Sequence, residues 1–67
     1  MAKIQLNGKN IVLKHNFSIF DIINKYKINS KKVAIEFNGK ILPKNKYKKI
    51  LVKDNDKIEI VQFIGGG

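Results

Sequence analysis

Two Asn-Gly pairs, each at the end of a stretch in which apolar and polar residues alternate, constrain the fold of this chain more than any other feature. Both residue types tolerate positive φ, which the tightest β-hairpin turns require. Asn7-Gly8 separates alternating stretches at 3–7 and 10–15, and Asn38-Gly39 follows an alternating stretch at 32–37. Because alternation is typical of a strand with one buried face, the sequence predicts two strands joined by the first pair and a third strand before the second pair.

A helix is predicted between these strands, over about residues 19–27. Ser18 is a suitable N-cap, and Asp21 three residues later completes an acidic variant of the capping box. Phe17 and Ile22 have the spacing of a hydrophobic staple. The apolar stripe of the helix is expected to comprise Ile19, Phe20, Ile23 and Tyr26.

The second half of the chain predicts shorter elements. A short strand is expected at Ile41-Leu42, before Pro43, which belongs on a sheet edge or in a loop. Residues 44–49 are predicted to form a basic, solvated stretch around Tyr47. The remaining expected elements are a brief pairing at Ile50-Leu51-Val52, a turn at Asp54-Asn55-Asp56 and a last strand at about 57–63.

This order of elements predicts an α+β fold, a mixed sheet of four to five strands packed on one main helix. The last strand can reach the centre of the sheet by pairing parallel to the first strand. The result would be a β-grasp, or ubiquitin-like, roll. We expect residues 1–64 to form this domain and residues 65–67 to form a flexible C-terminal glycine tail.

The composition offers few groups for catalysis. The chain has no cysteine, which excludes disulfides, cysteine-ligated zinc and a thiol nucleophile. His15 is the only histidine, and the cap and turn explain Asp21, Asp54 and Asp56. No Ser/His/Asp set and no phosphate-binding glycine loop can be assembled. We therefore expect a protein that is not an enzyme and that binds no cofactor or metal.

The length and hydropathy of the chain indicate a small protein without a membrane-spanning helix. Sixty-seven residues are enough for one small domain. The N-terminus becomes polar within seven residues, and no apolar run approaches the roughly 20 residues of a membrane helix. The sequence predicts a soluble cytoplasmic protein with no membrane partner.

The net charge of +9 comes from fourteen lysines and no arginine. Codon composition explains such an excess, and a docking surface for an acidic partner is the functional alternative. A nucleic-acid reader usually uses arginine, so nucleic acid is not the expected partner. A basic module that binds nucleic acid nevertheless remains an alternative. It would be formed by Lys44, Lys46, Lys48 and Lys49 around Tyr47.

The chain ends in Gly65, Gly66 and Gly67, directly after the last predicted strand. Glycine has no side chain for chemistry, but it can enter a channel that is too narrow for other residues. Such a tail can carry its terminal carboxylate into the active site of a partner. The alternative is a cloning remnant or a frayed terminus.

The same strand predicts a docking surface beside the tail. If Ile58 and Ile60 face the core, the opposite side of the sheet carries partly apolar residues from two strands. An exposed patch of this kind often marks a protein contact. Its expected members are Ala34, Glu36, Glu59, Val61 and Phe63.

From end to end, the chain resembles the ThiS family of sulfur carriers in thiamine biosynthesis, within the ubiquitin-like superfamily. The residues that carry this resemblance are Asn7-Gly8, the stretch Val33-Ala34-Ile35-Glu36-Phe37-Asn38-Gly39 with Pro43 after it, the stretch Asp54-Asn55-Asp56-Lys57-Ile58-Glu59-Ile60, and the ending Phe63-Ile64-Gly65-Gly66-Gly67. The departures are the high lysine content and Asn55 in a turn that is often Asp-Gly-Asp.

The resemblance implies that the carboxylate of Gly67 is adenylated and then converted to a thiocarboxylate, with Gly66 as its partner in the terminal pair. An adenylating enzyme of the ThiF type would supply the ATP and magnesium chemistry. A cysteine desulfurase pathway would supply the sulfur, and thiazole synthase, ThiG, would receive it. A molybdopterin-type sulfur carrier or a ubiquitin-like protein modifier remains an alternative with the same tail chemistry.

Overall fold

The computed structural model describes residues 1–14 and 16–62. Within them, five strands form one sheet that is packed on one α-helix. The strands are β1 (Ala2–Leu6), β2 (Lys9–Leu13), β3 (Val33–Phe37), β4 (Lys40–Ile41) and β5 (Lys57–Gln62). The helix α1 spans Ile19–Lys25, and two short 3-10 helices span Ser30–Lys32 and Lys44–Lys46.

The strand order β2-β1-β5-β3-β4 places the last strand at the centre of the sheet. Strand β5 pairs parallel to β1 and antiparallel to β3, whereas the other pairs are antiparallel hairpins. The predicted α+β roll, with the last strand central and parallel to the first, is therefore confirmed. The boundary predicted between residues 64 and 65 lies outside the described residues.

Both Asn-Gly pairs form the predicted turns. Asn7 and Gly8 have φ of 51° and 81°, and Asn38 and Gly39 have φ of 52° and 87°. Two consecutive positive φ values define the hairpin turn whose twist matches that of the flanking strands. Local backbone chemistry thus fixes the register of the two outer strand pairs.

The predicted cap starts α1. The Ser18 hydroxyl accepts a hydrogen bond from the Asp21 N–H at 3.0 Å, and the Asp21 carboxylate accepts one from the Ser18 N–H at 2.9 Å. The helix ends at Lys25, two residues before the predicted end, because Lys27 adopts a left-handed conformation with φ of 55°. About two turns of helix are thereby held between a reciprocal cap and a left-handed residue that ends the helix.

The predicted apolar stripe of α1 was wrong in two members. Ile19, Ile22 and Ile23 are buried, whereas Phe20 and Tyr26 are 37% and 42% exposed. Residues at i, i+3 and i+4 share one helix face, and Ile22 completes that face where Phe20 cannot. Phe20 instead lies under the ammonium of Lys48, with Nζ 4.7 Å from the ring centroid.

The core lies between α1 and the inner face of the sheet. It contains the buried side chains of Ile4, Leu13, Ile19, Ile22, Ile23, Val33, Ile35, Tyr47, Val52 and Ile58. The alternation predicted for the strands is confirmed, since inward positions of the four longer strands, β1, β2, β3 and β5, supply this cluster.

Tyr47 is a core residue and not the centre of a solvated stretch. Its side chain is 5% exposed, and its carbonyl accepts a hydrogen bond from the Phe20 N–H at 3.0 Å. The 3-10 helix at Lys44–Lys46 turns this one side chain inward while the neighbouring lysines stay in solvent. The aromatic residue that the basic nucleic-acid module required is therefore not available at the surface.

Burial also raises the pKa of Tyr47 above its ordinary value of 10.0. A pKa that is higher in the folded state than in the unfolded state contributes stability at pH below 10, and this contribution is lost as the pH rises through the folded value. Alkaline pH is thus expected to unfold the protein partly through this hydroxyl.

We predict that Tyr47→Phe reduces the fall in unfolding free energy above pH 10, since the variant has no phenol to ionise. Tyr47→Ala should cost about 3–5 kcal/mol at neutral pH through the cavity that it leaves. Urea unfolding across the alkaline range measures both effects. An equally steep alkaline loss in Tyr47→Phe and wild type would contradict the assignment.

Candidate functional site

The open face of the sheet carries a patch that we call the sheet patch, formed by Ala34, Glu36, Ile41, Glu59 and Val61. The register places Ala34 directly opposite Val61 and Glu36 directly opposite Glu59 on β3 and β5. Val61 is 46% exposed, and Ala34 is half-buried. The structure thus brings the predicted docking residues of the described chain together, while their role in docking stays a prediction.

Ile41 also belongs to this patch, although it was not among the predicted docking residues. Ile41 pairs with Glu36 and is 65% exposed, so it extends the apolar surface to the sheet edge. The signal was present in the sequence, because a two-residue turn at Asn38-Gly39 pairs residue 37 with 40 and residue 36 with 41.

Glu36 and Glu59 form a pair of like charges. Directly opposed residues have Cβ atoms roughly 4.5–5.5 Å apart, and like charges at that distance destabilise a sheet. Within residues 1–14 and 16–62, no hydrogen bond engages either carboxylate. The sheet patch therefore presents two carboxylates without structural partners between exposed apolar side chains.

The other three carboxylates are used by the fold. Asp21 caps α1, and Asp54 accepts a hydrogen bond from the Lys3 N–H at 2.7 Å. Asp56 accepts from the Lys53 N–H at 2.7 Å. In the described ranges no group of three or more potential ligands is arranged to hold a metal ion.

The two turn asparagines hold β5 in place, which sequence reasoning did not anticipate. The Asn7 carboxamide oxygen accepts a hydrogen bond from the Ile60 N–H at 2.7 Å. The Asn38 carboxamide oxygen accepts one from the Lys57 N–H at 2.7 Å. These side chains continue the hydrogen bonding of β1 and β3 beyond the points where the main chains turn away.

Several predicted positions lie outside the described residues. They are His15, the docking residue Phe63 and the tail residues Gly65, Gly66 and Gly67. The last described residue of the central strand is Gln62, five positions before Gly67. Covalent geometry limits five residues to a span of at most roughly 16–18 Å.

None of the helices in the described part of the chain is long and apolar enough to cross a membrane.

Comparison with known proteins places the chain beside sulfur carriers. The family model described as the ThiS family matches residues 3–67. The sulfur carrier protein ThiS of Bacillus subtilis (strain 168) is 40% identical over 65 residues, covering 96% of this chain and 98% of that protein. The thiazole synthase of Paramagnetospirillum magneticum is 38% identical over 65 residues, which cover 97% of this chain but only 20% of that enzyme.

The solved structures agree with the sequence matches. The crystal structure of the thiamine biosynthesis protein ThiS from Geobacter metallireducens superposes with a TM-score of 0.84 at 26% identity, covering 97% of this chain and 99% of that one. A solution structure of a thiamine biosynthesis protein from the same organism gives a TM-score of 0.77 over 97% of this chain.

The opposed glutamates make a testable electrostatic prediction. Glu59→Gln should raise stability more, or lower it less, in the wild-type background than in the Glu36→Gln background. The difference is expected to be roughly 0.2–1 kcal/mol at low salt and smaller at high salt. A double-mutant cycle measured by urea unfolding isolates this coupling from the attraction of the lysines.

Asp54→Asn provides the control in that experiment, because it weakens a hydrogen bond to the backbone and should only destabilise the fold. A coupling of zero between the two glutamates at low salt would show that their side chains point away from each other.

Proposed function

Because the chain belongs to the ThiS family, whose members are sulfur carriers of thiamine biosynthesis and not enzymes, we propose that Gly67 carries the sulfur as a C-terminal thiocarboxylate. The observation that carries this proposal is the extent of the family match, which runs to residue 67 and so includes all three glycines. The proposal requires Gly67 to be the terminal residue of the active protein.

The chemistry divides between the carrier and its partners. A carboxylate is a poor electrophile, so an adenylating enzyme of the ThiF type first joins it to AMP and releases pyrophosphate from ATP. A persulfide formed by a cysteine desulfurase then attacks the acyl carbon, and the C–O bond breaks to release AMP. A thiol cleaves the S–S bond of the resulting acyl disulfide by joining the donor's sulfur in a new disulfide, which leaves the thiocarboxylate on the carrier. The adenylating enzyme would provide the nucleotide and magnesium sites. We place the reaction in the cytoplasm.

The recipient of the sulfur would be a thiazole synthase of the ThiG type. The thiazole synthase of Paramagnetospirillum magneticum supports this choice, because one fifth of its length is similar to almost this entire chain. A carrier segment and a synthase segment within one polypeptide are expected when the two act on the same sulfur.

The sheet patch is the proposed docking surface for these enzymes, with Val61, Ala34 and Glu59 from the described strands and Phe63 beyond them. It lies on the strand that leads into the tail, so a partner that covers the patch would also receive the tail. The burial of Tyr47 removes the support for the alternative of a nucleic-acid module.

The proposed function predicts a change in the mass of the tail. With ATP, magnesium, a cognate adenylating enzyme and a sulfur source, the intact protein should gain about 16 Da, because one oxygen is replaced by sulfur. Deletion of Gly66 and Gly67 should abolish the gain while leaving the thermal unfolding midpoint unchanged. Mass spectrometry of the intact chain measures the gain, and an unmodified wild type beside an active enzyme contradicts the proposal.

The second prediction concerns the sheet patch. Val61→Ser should weaken binding to the adenylating enzyme by about tenfold, which corresponds to about 1.4 kcal/mol of lost apolar burial. Val12→Ser is the matched control, since Val12 is 52% exposed on the same face of the sheet but lies on β2. Equal affinities for the two variants by calorimetry would remove the patch from the interface.

A further inference from the structure

Strand β5 loses its neighbour on one side before it ends. The parallel pairing with β1 covers Gln5 with Lys57 and Leu6 with Ile58, and the Asn7 main chain donates one more hydrogen bond to the Ile58 carbonyl at 2.9 Å. Beyond that point β1 turns into its hairpin at Asn7-Gly8.

The Asn7 side chain supplies the last hydrogen bond on this side of β5. It accepts from the Ile60 N–H at 2.7 Å, so the backbone groups of Ile60 point toward the β1 side. Backbone groups of alternate residues in a strand point the same way, and the Gln62 N–H is therefore directed to that side as well. On its other side, β5 stays paired with β3 as far as Gln62 opposite Val33.

Within residues 1–14 and 16–62, no main-chain hydrogen bond from the β1 side reaches the Ile60 carbonyl or the Gln62 N–H. These two groups, directed to the same side, form what we call the free edge of β5. Unpaired groups of this kind pair readily with an added strand. The free edge also lies at the end of the strand that precedes the glycines in the sequence, so a strand added there would contact β5 at its last described residues.

The surroundings of the free edge select the charge of that strand. A recess on the helix side of the sheet is lined by Asn7, Lys27, Lys32, Ile60 and Gln62, among other residues. Among the described residues around the recess none carries a carboxylate. Side chains of an added strand alternate between the two faces, so every second one would enter this basic recess.

We propose that the free edge of β5 receives an extended, acidic segment of the adenylating partner by strand addition. The main chain of the segment would accept from the Gln62 N–H and donate to the Ile60 carbonyl, and its acidic side chains would face Lys27 and Lys32. This inference rests on the proposed function for the identity of the partner. It also implies that β5 and the partner segment pair in one fixed main-chain register, which would set the position from which the tail enters the partner.

The proposed hydrogen bond from the Gln62 N–H can be tested by replacing that single main-chain nitrogen. A chain of this length is accessible by chemical synthesis, and replacement of the Gln62 backbone amide with an ester removes the N–H donor and weakens the Val61 carbonyl as an acceptor. Affinity for the adenylating enzyme should fall by about two- to tenfold, the range of one hydrogen bond. The control is an ester at Val12, whose N–H is directed outward from the edge strand β2 by the register of its hairpin.

The charge selection is tested with two pairs of substitutions that change the net charge equally. Lys27→Glu with Lys32→Glu should weaken binding by about fivefold or more at low salt, and the loss should shrink at high salt. Lys44→Glu with Lys46→Glu, in the second 3-10 helix, should have a smaller effect. Circular dichroism confirms that each variant is folded before its affinity is compared.

The outcomes separate this inference from the proposed function. A normal gain of about 16 Da together with equal affinities for the Gln62 and Val12 esters overturns the free edge and leaves the carrier function in place. Edge-dependent binding without any mass gain overturns the thiocarboxylate alone. Concentration-dependent self-association that the Gln62 ester abolishes would assign the edge to a second copy of the chain and overturn the inference.

Discussion

The pairing of β5 between β1 and β3 is the interaction on which the rest of the structure depends. This strand forms the only link between the two hairpins in the described sheet, and its inward residue Ile58 is 1% exposed in the core. Without β5, the first hairpin with its neighbouring helix and the second hairpin would share no hydrogen-bond ladder. The same strand carries Val61, the proposed docking residue, and precedes the glycines, so stability and the proposed function share one element.

Two asparagines connect local turn chemistry to this long-range pairing. Asn7 and Asn38 adopt the positive φ that their hairpins need, and their carboxamides then bond to the Ile60 and Lys57 amides. Each side chain thus serves a turn and the central strand at once. An aspartate or glycine could form the turn, but glycine would leave the β5 amide without this acceptor, and aspartate would add a charge.

The sequence was sufficient for features with short-range causes. The hairpins, the cap of α1 and the alternation of the long strands were all predicted, because each depends on residues within a few positions of one another. The orientations of Phe20 and Tyr47 were not predictable in that way. Phe20 lies in a helix with several apolar residues, and Tyr47 is the one aromatic residue in a run of lysines. In both cases only the packing of the segment on the rest of the fold decides whether the side chain turns inward.

In the candidate site, too, features with short-range causes were predictable and features that depend on tertiary pairing were not. The placement of Ala34 and Val61 on the same face of the sheet followed from strand parity. The hydrogen bond from Ile60 to Asn7, in contrast, joins residues 53 positions apart and has no local signature. The free edge of β5 was equally unpredictable from the sequence. It exists because the pairing of β1 with β5 ends at Ile58, whereas β5 continues to Gln62.

The central position of β5 has a mechanical consequence. A partner that pulls on the chain beyond Gln62 applies force along the axis of this strand. The force acts across the hydrogen bonds to β3, which lie perpendicular to the strand, and across those to β1, which are slanted. Those bonds are loaded together in shear, not broken one by one as in the peeling of an edge strand. In the proposed reaction, an enzyme that held the glycines under tension would therefore leave the domain outside intact.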